Sequence, residues 1–277
     1  MSDLEFLPVT ARRILNEVAP SRAMPHRWTI NAYRGCSHAC TYCFARPTHE
    51  YLGLSAGDDF DRKIVVKINA VERLRVELSD PRWRREHVAM GTNTDPYQRA
   101  EGKFRLTRGI LQALTDYRSP FSILTKSALV TRDLDILTEA NEHLDISVLF
   151  SIGTIDEAVW RASEPGTPHP RRRLAAMQAM ADAGIGTGAL MAPILPGLSD
   201  SRAQLTATAR AIQDAGGAVV GVLPLYLRGA TRQVFLDWLA EHDRALHARY
   251  LDRYAGRTEL PPEYKRWVRA AVDAALR

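Results

Sequence analysis

Six short apolar runs, separated by amphipathic stretches and never joined by a hairpin turn, restrict this chain more than any other feature of its sequence. They are Trp28 to Tyr33, His87 to Gly91, Phe121 to Leu124, Ile146 to Ile152, Gly188 to Ala192 and Ala218 to Pro224. Between them, Ile64 to Leu78, Arg108 to Tyr117, Arg132 to Glu142, Arg171 to Ala183 and Ser201 to Ala215 carry helical periodicity. The unit repeats at roughly 25 to 35 residues. Parallel strands need a crossover, and these helices supply it. The pattern predicts an α/β fold whose parallel sheet curves into a partial (β/α)6 barrel. Asp133 and Asp200 stand where a carboxylate caps a helix start, and Gly184 and Gly216 stand just past helix ends.

Residues 1–27 read as an N-terminal arm, 28–227 as the barrel and 228–277 as a C-terminal helical extension packed on it. In the extension, Phe235 to Tyr254 is aromatic-rich and helical, Pro261-Pro262 breaks it, and Glu263 to Leu276 forms a last helix. The 277 residues, 45% hydrophobic, suffice for one large core. No apolar run reaches the roughly 18 residues a membrane span needs, and the first residues lack a secretory signal's apolar stretch. A cytoplasmic protein without a membrane partner is expected. The net charge of +5 permits an anionic partner, but basic residues spread from Arg12 to Arg277 among acids.

The chain's three cysteines fall within Cys36-Ser37-His38-Ala39-Cys40-Thr41-Tyr42-Cys43, directly after the first expected strand. Such a set is no disulfide framework; it fits thiols kept reduced for a metal. At C-x3-C-x2-C spacing, thiolates can wrap one iron–sulfur cube, each reaching a different corner, and three cysteines leave one iron of four open. The alternative is structural zinc, with Cys40-x2-Cys43 as the two-residue spacer and His38 or His49 completing the ligands. Against zinc, there is no second C-x2-C pair, and the motif follows strand one of a barrel-like series. His38 itself reads as a loop histidine, solvent-facing or hydrogen-bonded.

With Tyr42 before the last cysteine, this run resembles the motif of the radical S-adenosylmethionine (SAM) superfamily. Asn31-Ala32-Tyr33-Arg34-Gly35-Cys36, Gly91-Thr92-Asn93-Thr94-Asp95-Pro96-Tyr97-Gln98 and Met191-Ala192-Pro193-Ile194 further resemble its spore photoproduct lyase-like branch, over residues 6 to 240 or so. The resemblance implies a [4Fe-4S] cluster on Cys36, Cys40 and Cys43 whose open iron is chelated by SAM. An electron from the cluster then cleaves SAM to a 5′-deoxyadenosyl radical that abstracts hydrogen from a substrate.

The same resemblance implies that Tyr42, Asn93, Thr94, Lys126 and Ser151 contact SAM, and that Arg173, after Glu164-Pro165-Gly166, holds SAM or the glutamate. A lysine ammonium suits the SAM carboxylate, and a serine hydroxyl can donate to it or accept from the amino group. Ala192 and Ile194 would lie beside adenine, with Ile194 offering an apolar face. Asp95 and Tyr97, next to the SAM-contacting stretch, are candidates for substrate contact, although Asp before Pro also favours a turn.

Two departures from the family pattern matter. Spore photoproduct lyase uses a further cysteine as hydrogen donor in the stretch matching Thr92 to Thr94, and a tyrosine on each side of the last cluster cysteine. This chain has no fourth cysteine, and Phe44 follows Cys43. A hydroxyl does not replace a thiol as hydrogen donor, because its O–H bond is far stronger. Thymine-dimer repair by that route is not expected. A second reading is nucleic-acid or nucleotide modification, with Tyr226, Arg228, Trp238, Tyr250, Arg253, Tyr254 and Trp267 stacking on bases or contacting phosphates. A third is a zinc-stabilised binding protein without catalysis. Every catalytic reading requires an electron donor, a flavodoxin or ferredoxin.

Overall fold

Residues 4–19 and 26–277 are described by the computed structural model; residues 1–3 and 20–25 of the expected arm lie outside the described residues. The chain opens with β1 (Glu5–Val9), β2 (Asn16–Glu17), β3 (Trp28–Ile30), β4 (Tyr33–Arg34), α1 (Asp58–Arg62), β5 (Lys63–Lys67) and α2 (Ala70–Leu78). Alternation then runs through β6 (Val88–Met90), α3 (Arg99–Phe104), α4 (Leu106–Asp116), β7 (Phe121–Thr125), α5 (Leu134–Asn141) and β8 (Ile146–Ser151). It continues with α6 (Glu157–Ser163), α7 (Pro170–Asp182), β9 (Gly186–Ile194), α8 (Arg202–Asp214) and β10 (Ala218–Pro224). The last helices are α9 (Gly229–His242), α10 (Arg244–Arg253) and α11 (Pro262–Ala275).

Strands β3, β6, β7, β8, β9 and β10 lie side by side in chain order, all parallel, and β2 adds an antiparallel edge to β3. This is the expected six-unit α/β sheet. The two-residue period of a strand sends alternate side chains to opposite faces. On β9, Ala189 and Met191 are buried in the main core, while Leu190 and Ala192 line a cavity on the inner face. Helices α7 and α8 end as read: Gly184 and Gly216 follow them at φ +72° and +73°, a conformation in which glycine carries no Cβ penalty.

Three sequence expectations are corrected. Ile64 to Leu78 is not one helix. Ile64, Val65 and Val66 suit a strand, and β5 pairs with β1 from Glu5 opposite Lys63 to Val9 opposite Lys67. The described start of the chain is thereby part of a side sheet, tied by the Asn69 amide to the Ala11 backbone at 2.8 and 3.0 Å. Second, Phe235 to Tyr254 lies in two helices, because Asp243 caps α10 by accepting from Leu246 N–H at 2.9 Å. Third, neither expected carboxylate caps its helix. Ser201 and Gln204 form a capping box at α8, while Asp200 accepts from Gly197 N–H and the Tyr264 hydroxyl. Asp133 is instead fully buried, bound to Tyr97, Arg108 and Arg132.

Candidate active site

The cysteine loop after β4 and the C-terminal ends of the parallel strands enclose a cavity of about 260 Å³, lined by all three cysteines. The loop is wound by backbone hydrogen bonds, Ala39 N–H to Cys36 O and Cys43 N–H to Cys40 O at 3.1 and 3.2 Å, and is tied to α1 by Cys36 N–H, which donates to Phe60 O at 2.9 Å. Two side chains that the sequence did not single out hold it. Gln98 accepts from Ser37 N–H and donates to Gly35 O, both at 3.0 Å. Arg46, only 1% exposed, donates to Cys40 O, Ala56 O and Asp61. A single buried arginine at the start of the short 3-10 helix Arg46–Leu52 leaves no periodic signal, whereas Gln98 stands at the end of a motif already noted.

Asp95, Lys126, Ser151 and Ala192 form a chain of contacts across the ends of β6, β7, β8 and β9. Asp95 accepts from Tyr97 N–H, the Thr125 hydroxyl and Lys126 N–H at 2.7 to 2.9 Å, and its Oδ2 lies 3.3 Å from His38 Nδ1. Burial pushes this carboxyl up, but His38 and the hydrogen bonds outweigh it and hold it at about 2. Lys126 Nζ donates to Ser151 Oγ at 2.7 Å, and Ser151 donates to Ala192 O at 2.9 Å. Thr94 lines the cavity while its hydroxyl holds Gly35 O at 2.6 Å, and Asn93 N–H donates to Asn31 Oδ1 at 3.0 Å. Gly91 permits this crossing: at φ +85°, a Cβ here would stand 2.0 Å from Leu124 O.

Behind the cysteines, the Tyr42 hydroxyl donates to Glu164, whose other oxygen pairs with Arg173. Burial alone would raise the Glu164 carboxyl; Arg173, Lys126 and the Tyr42 hydroxyl bring it down to about 2. Arg173 also donates to Ser151 O at 3.0 Å and Thr167 Oγ1 at 2.6 Å. The loop carrying Glu164 straps the cysteine loop directly: Thr41 N–H donates to Ser163 O and Gly166 N–H to His38 O, both at 3.0 Å.

Of the residues read from sequence, Cys36, Cys40, Cys43, Tyr42, Asn93, Thr94, Lys126, Ser151, Ala192 and Asp95 line this one cavity. Three do not. Tyr97 is 1% exposed and donates to Asp133 at 3.0 Å, away from the cavity. Ile194 is fully buried in the main core, so its apolar face serves packing. Arg173 stands one layer behind the cavity, held by Glu164. The nucleic-acid reading loses Tyr250 and Tyr254, both fully buried in the C-terminal helical core. Tyr226 of the nucleic-acid reading lines the cavity, as do Phe44 and Leu223, to which the sequence assigned no site role.

The donors suit an iron–sulfur cluster. All three thiols are pushed up by burial, and on Cys36 by Asp95 and the other two thiols as well. Thiolates here need a cationic partner, which bound iron provides. Neither histidine of the zinc alternative joins them: His38 faces Asp95, and His49 Nε2 lies 2.9 Å from Lys63 O. Among the described residues, no three His, Cys, Asp or Glu side chains close around a single ion.

Residues 30–209 match the family model of the radical SAM superfamily. The chain belongs to the radical SAM superfamily. It is a radical SAM enzyme, and its cofactors are a [4Fe-4S] cluster and SAM. An uncharacterised protein of Mycobacterium tuberculosis is 47% identical over 269 residues, 97% of this chain and 79% of the relative. Another, of Methanocaldococcus jannaschii, is 30% identical over 199 residues, 72% of this chain and 71% of the relative. The radical SAM fold is also similar to a spore photoproduct lyase variant solved with AdoMet and dinucleoside spore photoproduct. That match has TM-score 0.68 and 16% identity, and it covers 98% of this chain and 78% of the lyase. Among the described residues, no helix is long and apolar enough to cross a membrane.

Proposed function

We propose that this radical SAM enzyme cleaves SAM reductively and uses the resulting 5′-deoxyadenosyl radical to abstract hydrogen from a substrate admitted through the cavity mouth. The observation that carries the reading is the convergence of Cys36, Cys40 and Cys43 with the bonded pair Lys126 and Ser151 on one cavity at the strand ends. Enzymes of the barrel type assemble their sites on that face.

Cys36, Cys40 and Cys43 would hold the cluster, which when bound supplies the electron that breaks the sulfonium bond. Lys126 offers an ammonium to the SAM carboxylate, and Ser151, already bonded to Lys126 and Ala192 O, offers a hydroxyl beside it. Tyr42, Asn93, Thr94 and Ala192 complete the SAM-facing surface, with Arg173 acting through Glu164 and Ser151 rather than by touch. Asp95 accepts from Tyr97, Thr125 and Lys126 and faces His38, so it would position the cysteine loop and β7 from the cavity wall. The electron comes from a flavodoxin or ferredoxin, and three cysteines spaced as cluster ligands rather than as a disulfide framework fit a cytoplasmic setting.

A nucleotide or nucleic acid is the second reading for the substrate. It is favoured by Tyr226, an exposed aromatic at the cavity, and by the dinucleoside named with the similar lyase. The test is anaerobic reconstitution with iron and sulfide, then electron paramagnetic resonance with and without SAM, and an assay for 5′-deoxyadenosine under dithionite. A reduced-cluster signal that changes with SAM, together with 5′-deoxyadenosine formation, is expected; a cluster blind to SAM would overturn the reading.

A further inference from the structure

Gln98 is 0% exposed behind the cysteine loop, and both ends of its amide are engaged there. Its Oε1 accepts from Ser37 N–H at 3.0 Å, and its Nε2 donates to Gly35 O at 3.0 Å and to Thr94 Oγ1 at 2.8 Å. The partners decide which end is which. A backbone N–H only donates and a backbone carbonyl only accepts, so the amide oxygen faces Ser37 and the nitrogen faces Gly35. One side chain therefore holds the residues on both sides of Cys36 together with a residue that lines the cavity.

The consequence falls on Thr94. A hydroxyl has one proton and two lone pairs. Because Thr94 Oγ1 receives a proton from Gln98, its own proton goes to Gly35 O, 2.6 Å away. One lone pair is left, so toward a ligand in the cavity Thr94 accepts a hydrogen bond and does not donate one. Lys126, on the same cavity, has the opposite chemistry, an ammonium with donors and no acceptor. The methionyl end of SAM carries an ammonium that only donates and a carboxylate that only accepts. Without the Gln98 amide, one of the two bonds holding the Thr94 hydroxyl is gone, and its proton is no longer confined to Gly35 O. A polar contact is selective only while its supporting bonds keep it in one orientation.

We propose that Gln98 is a positioning residue for SAM binding, acting through Thr94: its amide holds that hydroxyl as an acceptor for the SAM ammonium, at a fixed place beside the turn that carries Cys36. This rests on the radical SAM reading of the cavity. Gln98 itself touches neither cluster ligand nor cavity, so its effect on SAM passes through a bond within the protein.

The test is a double-mutant cycle read as SAM affinity, by calorimetry and by titrating SAM against the reduced-cluster signal of the reconstituted enzyme. Iron and sulfide content is measured on each sample. Gln98→Met keeps the length of the side chain and removes its amide; SAM affinity should fall about fivefold or more, the size of one lost hydrogen bond, with cluster content retained. In the Thr94→Val background the same change should cost less than about twofold, because the hydroxyl it acts through is already gone, whereas in the Lys126→Met background its full effect should remain. A SAM analogue lacking the α-amino group should bind Gln98→Met and the unmodified enzyme equally. An equal loss with and without the Thr94 hydroxyl, no loss of SAM affinity, a loss shared by the analogue, or failure of Gln98→Met to take up the cluster would each confine Gln98 to a structural role and overturn the proposal. If the unmodified enzyme shows no response to SAM, the SAM reading itself falls.

Discussion

The Glu164 carboxylate and the Arg173 guanidinium form an ion pair directly behind the cysteine loop, with Glu164 6% exposed and Arg173 1% exposed. The pair joins two surfaces of the site: Glu164 receives the Tyr42 hydroxyl, and Arg173 donates to the carbonyl of Ser151. Removing one partner leaves the other charge buried without compensation. Glu164→Gln is therefore expected to lower the unfolding free energy by about 3–5 kcal/mol, read by urea denaturation. The double variant Glu164→Gln with Arg173→Met should be less destabilised than the single one; equal or greater loss in the double variant would argue against the pairing.

Lys126→Met removes the cation facing the SAM-binding side while leaving the cysteines in place. SAM affinity, followed by titrating its effect on the reduced-cluster signal, should fall about tenfold or more, as expected for a charge-assisted hydrogen bond of about 1.5–3 kcal/mol. Ser151→Ala should weaken SAM less, because the ammonium remains. Iron and sulfide content should stay at the level of the unmodified enzyme in both. Loss of the cluster itself would assign Lys126 a structural role instead.

Asp95 uses both oxygens, accepting Tyr97 N–H and the Thr125 hydroxyl on one and Lys126 N–H on the other. An asparagine accepts through one oxygen only, so Asp95→Asn turns an amide N–H₂ toward a donor. About 1–3 kcal/mol of stability is the expected loss for the unsatisfied group. The cysteine loop should also release iron faster to a chelator, since His38 loses its carboxylate neighbour. Unchanged iron release would remove Asp95 from the support of that loop.

At the opposite end of the strands, His87 stacks on His26 with ring centroids 3.9 Å apart. Burial, and then the His26 ring, lower His87 from the ordinary 6.5 to about 4. Between those values the unfolded chain binds more protons than the folded one, so stability rises as pH increases from about 4 to about 6.5 and falls on acidification through the same window. Chemical denaturation across that range should show the slope, and His87→Phe should flatten it. A profile unaltered by the substitution would place the acid sensitivity elsewhere.

The six strands, the helices between them and the spacing of the three cysteines were legible in the sequence because each is local. A strand or helix declares itself through its own periodicity, and C-x3-C-x2-C places three thiols within eight residues, so no distant partner is needed to read either. Only the tertiary structure decided that Tyr97 binds Asp133, that Arg173 stands behind the cavity, and that Lys63–Lys67 joins Glu5–Val9 as a sheet. The same holds for Arg46 and Gln98, whose roles come from chain segments that meet in space. A buried charge or amide is defined by what surrounds it, and burial and hydrogen-bond partners at long separation follow from packing rather than from period.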